Sequence, residues 1–215
     1  MDEFIYGGIV GSVQTIIGHP LDTIKVLNQN KQNINFNFKR LYSGITFPLI
    51  SSVINHSFMF YLNDYFLIED NHFKSGFVTG ILCTPIINTF DILKIKYQTN
   101  YNNINIKKIM LNSEKGFIAT LLRESVGCSL YFGSYNYLKD KNYNPFLSGS
   151  TAGTVSWLFT YPIDVVKTRI QSGLVNNWSD AIKKGNLFKG LPVCLTRSFI
   201  VNGFAFSAYD YLKKL

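Results

Sequence analysis

Charge is what this sequence has least of. Of its 215 residues only 16% are Asp, Glu, Lys or Arg, against roughly 25% in an ordinary soluble domain, while 47% are apolar. That composition excludes a disordered chain and makes a soluble surface hard to supply. Cysteine is scarce too. Cys83, Cys128 and Cys194 form no C-x-x-C pair, and an odd number excludes a fully paired disulfide framework; all three sit in apolar stretches as buried thiols. The histidines His19, His56 and His72 lack metal-ligand spacing, so neither a metal nor a cofactor is expected. No nucleophile–base set, phosphate loop or paired catalytic carboxylates occurs, which speaks against an enzyme. No basic patch interleaved with aromatics occurs either, so nucleic acid is not an expected partner.

The few charges leave long gaps. None falls in 4–21, 41–63, 75–90, 125–138, 142–163 or 198–209. Three of these windows approach the ~20 residues of a membrane-spanning helix, and the others adjoin further apolar sequence. Six spans are predicted, each wet on one face, as in helices lining an aqueous cavity. The segments 28–43, 97–115 and 170–190 carry charges of +3, +2 and +2. Those on the other side, 1–3, 64–74, 139–146 and 210–215, carry −2, −2, +1 and +1. The overall excess of +8 therefore reads as membrane topology, with both termini on the less basic side. Residues Met1-Asp2-Glu3 lead almost directly into the first span with no Arg-rich leader, so targeting information is expected to be internal.

What is abundant is repetition. Gly7 and Gly11 precede Asp22 by the same fifteen and eleven residues as Gly76 and Gly80 precede Asp91, and Gly149 and Gly153 precede Asp164. A lysine follows each aspartate by three residues (Lys25, Lys94, Lys167) and a glutamine by seven (Gln29, Gln98, Gln171). A second register begins at Gly44, Gly116 and Gly190; seven residues on stand Ser51, Arg123 and Arg197, and twelve further Asn63, Tyr135 and Tyr209. Three repeats follow: 1–70, 71–141 and 142–215. An isolated G-x-x-x-G is common in packed helices, but three copies in register with D-x-x-K-x-x-x-Q are specific.

Asp and Lys three apart lie near one face of a helix, so each odd-numbered span can offer an acid to one neighbour and a base to the other. Six such charges unpaired inside a membrane would be costly, which favours a closed ring of pairs. The motifs Pro20-Leu-Asp22-Thr-Ile-Lys25 and Pro162-Ile-Asp164-Val-Val-Lys167, with Thr89-Phe-Asp91-Ile-Leu-Lys94 between them, resemble the signature of the mitochondrial carrier family. The resemblance covers essentially the whole chain. Its repeats are shorter than usual, most severely between Gln29 and Gly44, and Thr89 replaces the kink proline, a role Pro85 is placed to take.

The resemblance implies an all-α membrane protein: six transmembrane helices in three pseudo-threefold repeats around a central cavity. It implies a matrix gate of Asp22–Lys94, Asp91–Lys167 and Asp164–Lys25, braced by Gln29, Gln98 and Gln171. The family's outer gate is matched by Tyr209-Asp210…Lys213 but only in part by Tyr135-Asn136…Lys139 and Asn63-Asp64…Leu67. Of its pairs only Asp64–Lys139 retains both charges, which predicts a weaker barrier on that side. Ser51, Arg123 and Arg197 correspond to the substrate contact points. Two arginines suit a phosphate or carboxylate, while Glu124 either neutralises Arg123 or meets an amino group; Asn55, His56 and Asn202 add polar groups.

The implied function is a monomeric carrier of the mitochondrial inner membrane. It would exchange a nucleotide, deoxynucleotide, amino acid or carboxylic acid by alternating access, with both termini in the intermembrane space. The alternative is a carrier-derived scaffold or receptor that no longer transports. Cardiolipin is the implied lipid partner: Phe188-Lys189-Gly190 and Lys115-Gly116 resemble its helix-start sites, while Tyr42-Ser43-Gly44 lacks the basic residue.

Overall fold

The computed structural model describes residues 2–29, 41–67, 71–98, 116–175 and 177–214, and the side chains of all of these except 24–29 and 94–98. Among the described residues the chain forms seven helices. Six are long: α1 (Asp2–Gln29), α2 (Thr46–Tyr65), α3 (His72–Gln98), α4 (Phe117–Asp140), α5 (Pro145–Gln171) and α7 (Leu191–Leu212); the short α6 is Trp178–Lys183. Each long helix packs on its neighbours in chain order, and α7 returns to α1, closing a ring. Helix α6 packs on α5, where Arg169 donates to the carbonyls of Ala181 (2.5 Å) and Gly185 (2.8 Å).

Small residues make the ring tight. A Cβ on Gly7 or Gly11 would overlap the α2 backbone at His56 and Ser52, and one on Gly76 or Gly80 the α4 backbone at Cys128 and Glu124. On α7, Gly149 meets the Asn202 backbone in the same way, and Gly153 meets the Asn202 side chain. Serine hydroxyls bond across these same pairs: Ser52 to the Gly11 carbonyl (2.9 Å), Ser129 to Phe73 (2.9 Å) and Ser150 to Phe199 (2.7 Å). Because the overlap at Gly80 is with backbone, which cannot swing aside, Gly80→Ala should cost about 1–3 kcal/mol. Thermal unfolding in detergent checks this; an unchanged Tm would contradict the close approach of α3 and α4.

Proline is accommodated within α1, α3 and α5 at Pro20, Pro85 and Pro162. Pro20 has no N–H for the Ile16 carbonyl, and the Tyr42 hydroxyl donates to it at 3.2 Å. In α3, Thr89 keeps its N–H and its hydroxyl also donates to the Pro85 carbonyl (2.8 Å), so α3 runs unbroken past both positions.

Beside its apolar core the bundle buries many polar side chains, and it exposes large apolar ones. Thr79, Thr84, Asn88, Thr120, Ser148 and Ser150 are fully buried, whereas Ile5, Ile50, Phe77, Ile118, Phe159 and Phe204 are exposed. This inverts the usual arrangement of a bundle in water and suits apolar surroundings. Two segments, His72–Leu93 and Leu191–Leu212, are long and apolar enough to cross a membrane on length and composition alone. The other four long helices fall short of that measure because of the polar and charged residues they carry inward.

Candidate functional site: an interior charge network

Helix α5 places Asp164 and Lys167 one turn apart, so both face the interior. Lys167 donates to Asp91 on α3 (2.5 Å) and stands 3.7 Å from Glu124 on α4. The same Glu124 oxygen is paired with the Arg123 guanidinium, whose Nε lies 3.7 Å from Asp164. Acid and base thus alternate along a chain from Asp91 through Lys167, Glu124 and Arg123 to Asp164, spanning three helices. Glu124 and Lys167 are its most enclosed members, with side chains 5% and 6% exposed. Arg123 also lies over the Trp157 ring at 5.0 Å, a favourable cation–π contact.

A second pair stands on α1 and α7. Arg197 donates from Nη2 to Asp22 at 2.9 Å, and its Nε stands 2.7 Å from the other carboxylate oxygen. Gly18, one turn before Asp22, leaves the room that the Arg197 guanidinium occupies. A charge-assisted bond of this kind is stronger than one between neutral groups.

Two neutral layers border the charges. Gln171 donates to Asn88 (2.9 Å) and Thr120 (3.3 Å), and Thr120 donates to Asn88 (2.9 Å), tying α5, α3 and α4 together. Elsewhere Gln14 donates to Tyr131 and Asn202 (3.0 Å each), and Tyr131 to Asn202 (3.2 Å), linking α1, α4 and α7. Beyond this second layer the bundle is filled by aromatics. Tyr135 stacks on Phe206 at 3.7 Å, and Phe60, Phe132 and Tyr209 complete a buried plug. Over the plug Lys139 pairs with Asp210 (2.7 Å), as does Lys214 (2.8 Å), while Lys213 pairs with Glu3 (3.0 Å).

A family model for mitochondrial carrier protein matches residues 139–215. A mitochondrial arginine transporter of Arabidopsis thaliana is 27% identical, over 97% of this chain and 89% of its own length. Solute carrier family 25 member 45 of Mus musculus is 24% identical over 100% of this chain and 99% of its own length. The mitochondrial ornithine transporter 1 of Mus musculus is 25% identical over 97% and 92%. These likenesses are consistent with a member of the mitochondrial carrier family.

The relatives named here are transporters and solute carriers. Of the three ion pairs expected for a matrix gate, Asp91–Lys167 is formed. Asp22 and Asp164 are held by Arg197 and Arg123, two residues expected to face the substrate. The side chains of Lys25, Lys94, Gln29 and Gln98 lie outside the described residues. Gln171 braces helices through Asn88 and Thr120 and not through a gate pair. Glu124 neutralises Arg123, one of its two expected roles. Ser51 bonds back to the Pro48 carbonyl of its own helix (3.1 Å) and joins no charged group among the described residues. His56 bonds back to Ser52 of its own helix, as Asn202 does to Ser198, and Asn202 also accepts from Gln14 and Tyr131 on neighbouring helices.

Two expectations for the outer end are corrected. Lys139 takes Asp210, not Asp64, and Asp64 makes no ion pair among the described residues. Nor are matched register charges all that stands there: aromatics pack the bundle at that end, and Asp210 and Glu3 supply acids to Lys139 and Lys213. Spacing could not have revealed Glu3, because it lies outside both repeated registers. Trp157, seven residues before Asp164, carried no acid–base signal.

Proposed function

We propose that this carrier exchanges a small amino acid across the mitochondrial inner membrane by alternating access. Six spans in three repeats, 1–70, 71–141 and 142–215, would surround the path, with both termini on the intermembrane-space side. One observation carries the substrate class: the Arg197 guanidinium already holds a carboxylate, Asp22, by an ion pair and a hydrogen bond. A substrate carboxylate of the same shape can replace Asp22 there. The acids Glu124 and Asp164, which line the same interior on either side of Arg123, can receive the substrate's amino group. An acid–base site of this kind suits a zwitterion better than a nucleotide, whose several negative charges would meet four carboxylates. That the relatives include arginine and ornithine transporters supports the same class.

Alternating access follows from the layering. The aromatic plug shuts one end, while the charge network at the other consists of pairs that a ligand can exchange one at a time. Displacing Asp22 from Arg197 would free that gate acid for another partner, so binding and gating share a residue.

The test is exchange by proteoliposomes preloaded with basic and neutral amino acids, dicarboxylates, nucleotides or deoxynucleotides. Saturable exchange is expected for amino acids. Arg197→Lys, which keeps the charge but not the fork, should raise the half-saturating concentration about tenfold, equivalent to ~1.4 kcal/mol. Exchange confined to nucleotides or dicarboxylates would overturn the amino-acid class. Folded protein exchanging nothing in the panel would overturn transport of these solutes.

A further inference from the structure

The outer end contains an acid that neither repeated register contains. Glu3, in the first turn of α1, accepts from the Tyr209 hydroxyl at 2.8 Å and from the Lys213 ammonium at 3.0 Å. Its side chain is only 13% exposed, so both bonds are formed largely out of water. Tyr209 is itself a plug residue. Its ring lies 4.9 Å from Phe60 on α2 and 6.4 Å from Tyr135 on α4, and Lys213 sits above it at 5.3 Å. Glu3, Lys139 and Lys213 line one pocket over the plug, together with Asp64, Leu67 and Asn136. In that pocket the acid position of α4 is an asparagine and the base position of α2 a leucine. Among the described residues, Lys213 has no carboxylate partner other than Glu3 of α1.

We propose that Glu3 is the positioning residue that closes this outer end, fixing Tyr209 over the plug and supplying the acid for Lys213. Any solute leaving through this end must part Tyr209 from Phe60 and Tyr135. Anchoring the Tyr209 hydroxyl to α1 opposes that separation. Without Glu3, a partly buried hydroxyl and ammonium lose their shared acceptor in the closed state alone. The balance then moves towards open. This rests on the transport reading above, but its readout does not.

The experiment labels a cysteine at Asn136→Cys, placed in full-length Cys194→Ser protein whose remaining cysteines, Cys83 and Cys128, are buried. The reconstituted protein is treated with a membrane-impermeant maleimide, and exchange is measured in parallel. Glu3→Gln should raise the labelling rate about tenfold, as expected for losing charge-assisted bonds from one state only, and slow exchange. Asp2→Asn removes the same charge from an exposed neighbour in the same turn and should leave labelling unchanged. The swap Glu3→Lys with Lys213→Glu should return labelling towards the parent rate. If Glu3→Gln does not fold, Lys213→Gln removes the same ion pair from α7 and must give the same rise. An unchanged labelling rate in folded Glu3→Gln would overturn the proposal, even if Tm fell, because Glu3 would then only support the fold. So would a swap as open as the single variant. Absence of exchange with the labelling response intact would count against the transport reading and not against Glu3.

Discussion

Glu124→Gln should reduce exchange by at least about a hundredfold and lower Tm, the largest effect expected of any single side chain here. The glutamine keeps the size of the residue and removes only its charge. Glu124 is nearly fully enclosed, and one of its oxygens serves both Arg123 and Lys167. With that charge gone, two cations on adjacent helices face each other with no anion between them. Removing one member of a buried ionic set costs about 3–5 kcal/mol, more than two decades in an equilibrium constant. Asp164 and Asp91 soften the loss, since they remain on Arg123 and Lys167, but each is far more open to solvent. The double variant Arg123→Gln with Glu124→Gln removes both charges and should recover part of the fall in Tm, giving a coupling energy of about 1–3 kcal/mol in a double-mutant cycle. Initial exchange rates and thermal unfolding check both statements. Exchange within threefold of wild type for Glu124→Gln would show that the network does not depend on this carboxylate.

The second large effect is expected at Lys167. Its ammonium joins α5 to Asp91 on α3 at 2.5 Å and to Glu124 on α4 at 3.7 Å, and its side chain is 6% exposed. Lys167→Met retains the apolar stem and deletes the charge, leaving Asp91 without its described partner. The Lys167–Asp91 ion pair belongs to the state in which these helices converge. The variant should therefore shift the population away from that state and slow exchange more than tenfold, the equivalent of ~1.4 kcal/mol. The swap Asp91→Lys with Lys167→Asp preserves the pair and should restore measurable exchange; partial recovery is expected because Glu124 then faces an acid. A swap no better than Lys167→Met would show that the position needs a lysine for some purpose other than this pair.

Much of this molecule is legible in short stretches of sequence because the relevant physics is local. Glycines four apart share a helix face, and at Gly7/Gly11, Gly76/Gly80 and Gly149/Gly153 the partner helix is in contact at each. The left-handed start of the even-numbered spans is equally local: Gly44, Gly116 and Gly190 have φ of 78°, 76° and 93°. An aspartate and lysine three apart must face the same way, so the inward positions of Asp164 and Lys167 were readable from spacing. Partner choice was not. Arg197 reaches Asp22 across 175 residues of sequence and Tyr209 reaches Glu3 across 206, so no window of sequence contains either pair.

The outer end shows the limit most clearly. Counting matched charges there suggested a poor barrier, because the repeated register records ions and not the volume between helices. Tyr135, Phe206 and Tyr209 close that volume by packing, which depends on how far apart α4 and α7 stand. Sequence by itself determined the helices, their small-residue contact faces, the inward acids and bases and the resemblance to the mitochondrial carrier family. Tertiary structure alone decided which base each acid holds, that Arg197 and Arg123 rest on Asp22 and Asp164, and that Glu3 meets Tyr209 and Lys213. Spacing along one helix sets the direction of a side chain, whereas an ion pair depends on the distance between two helices, which only their packing determines.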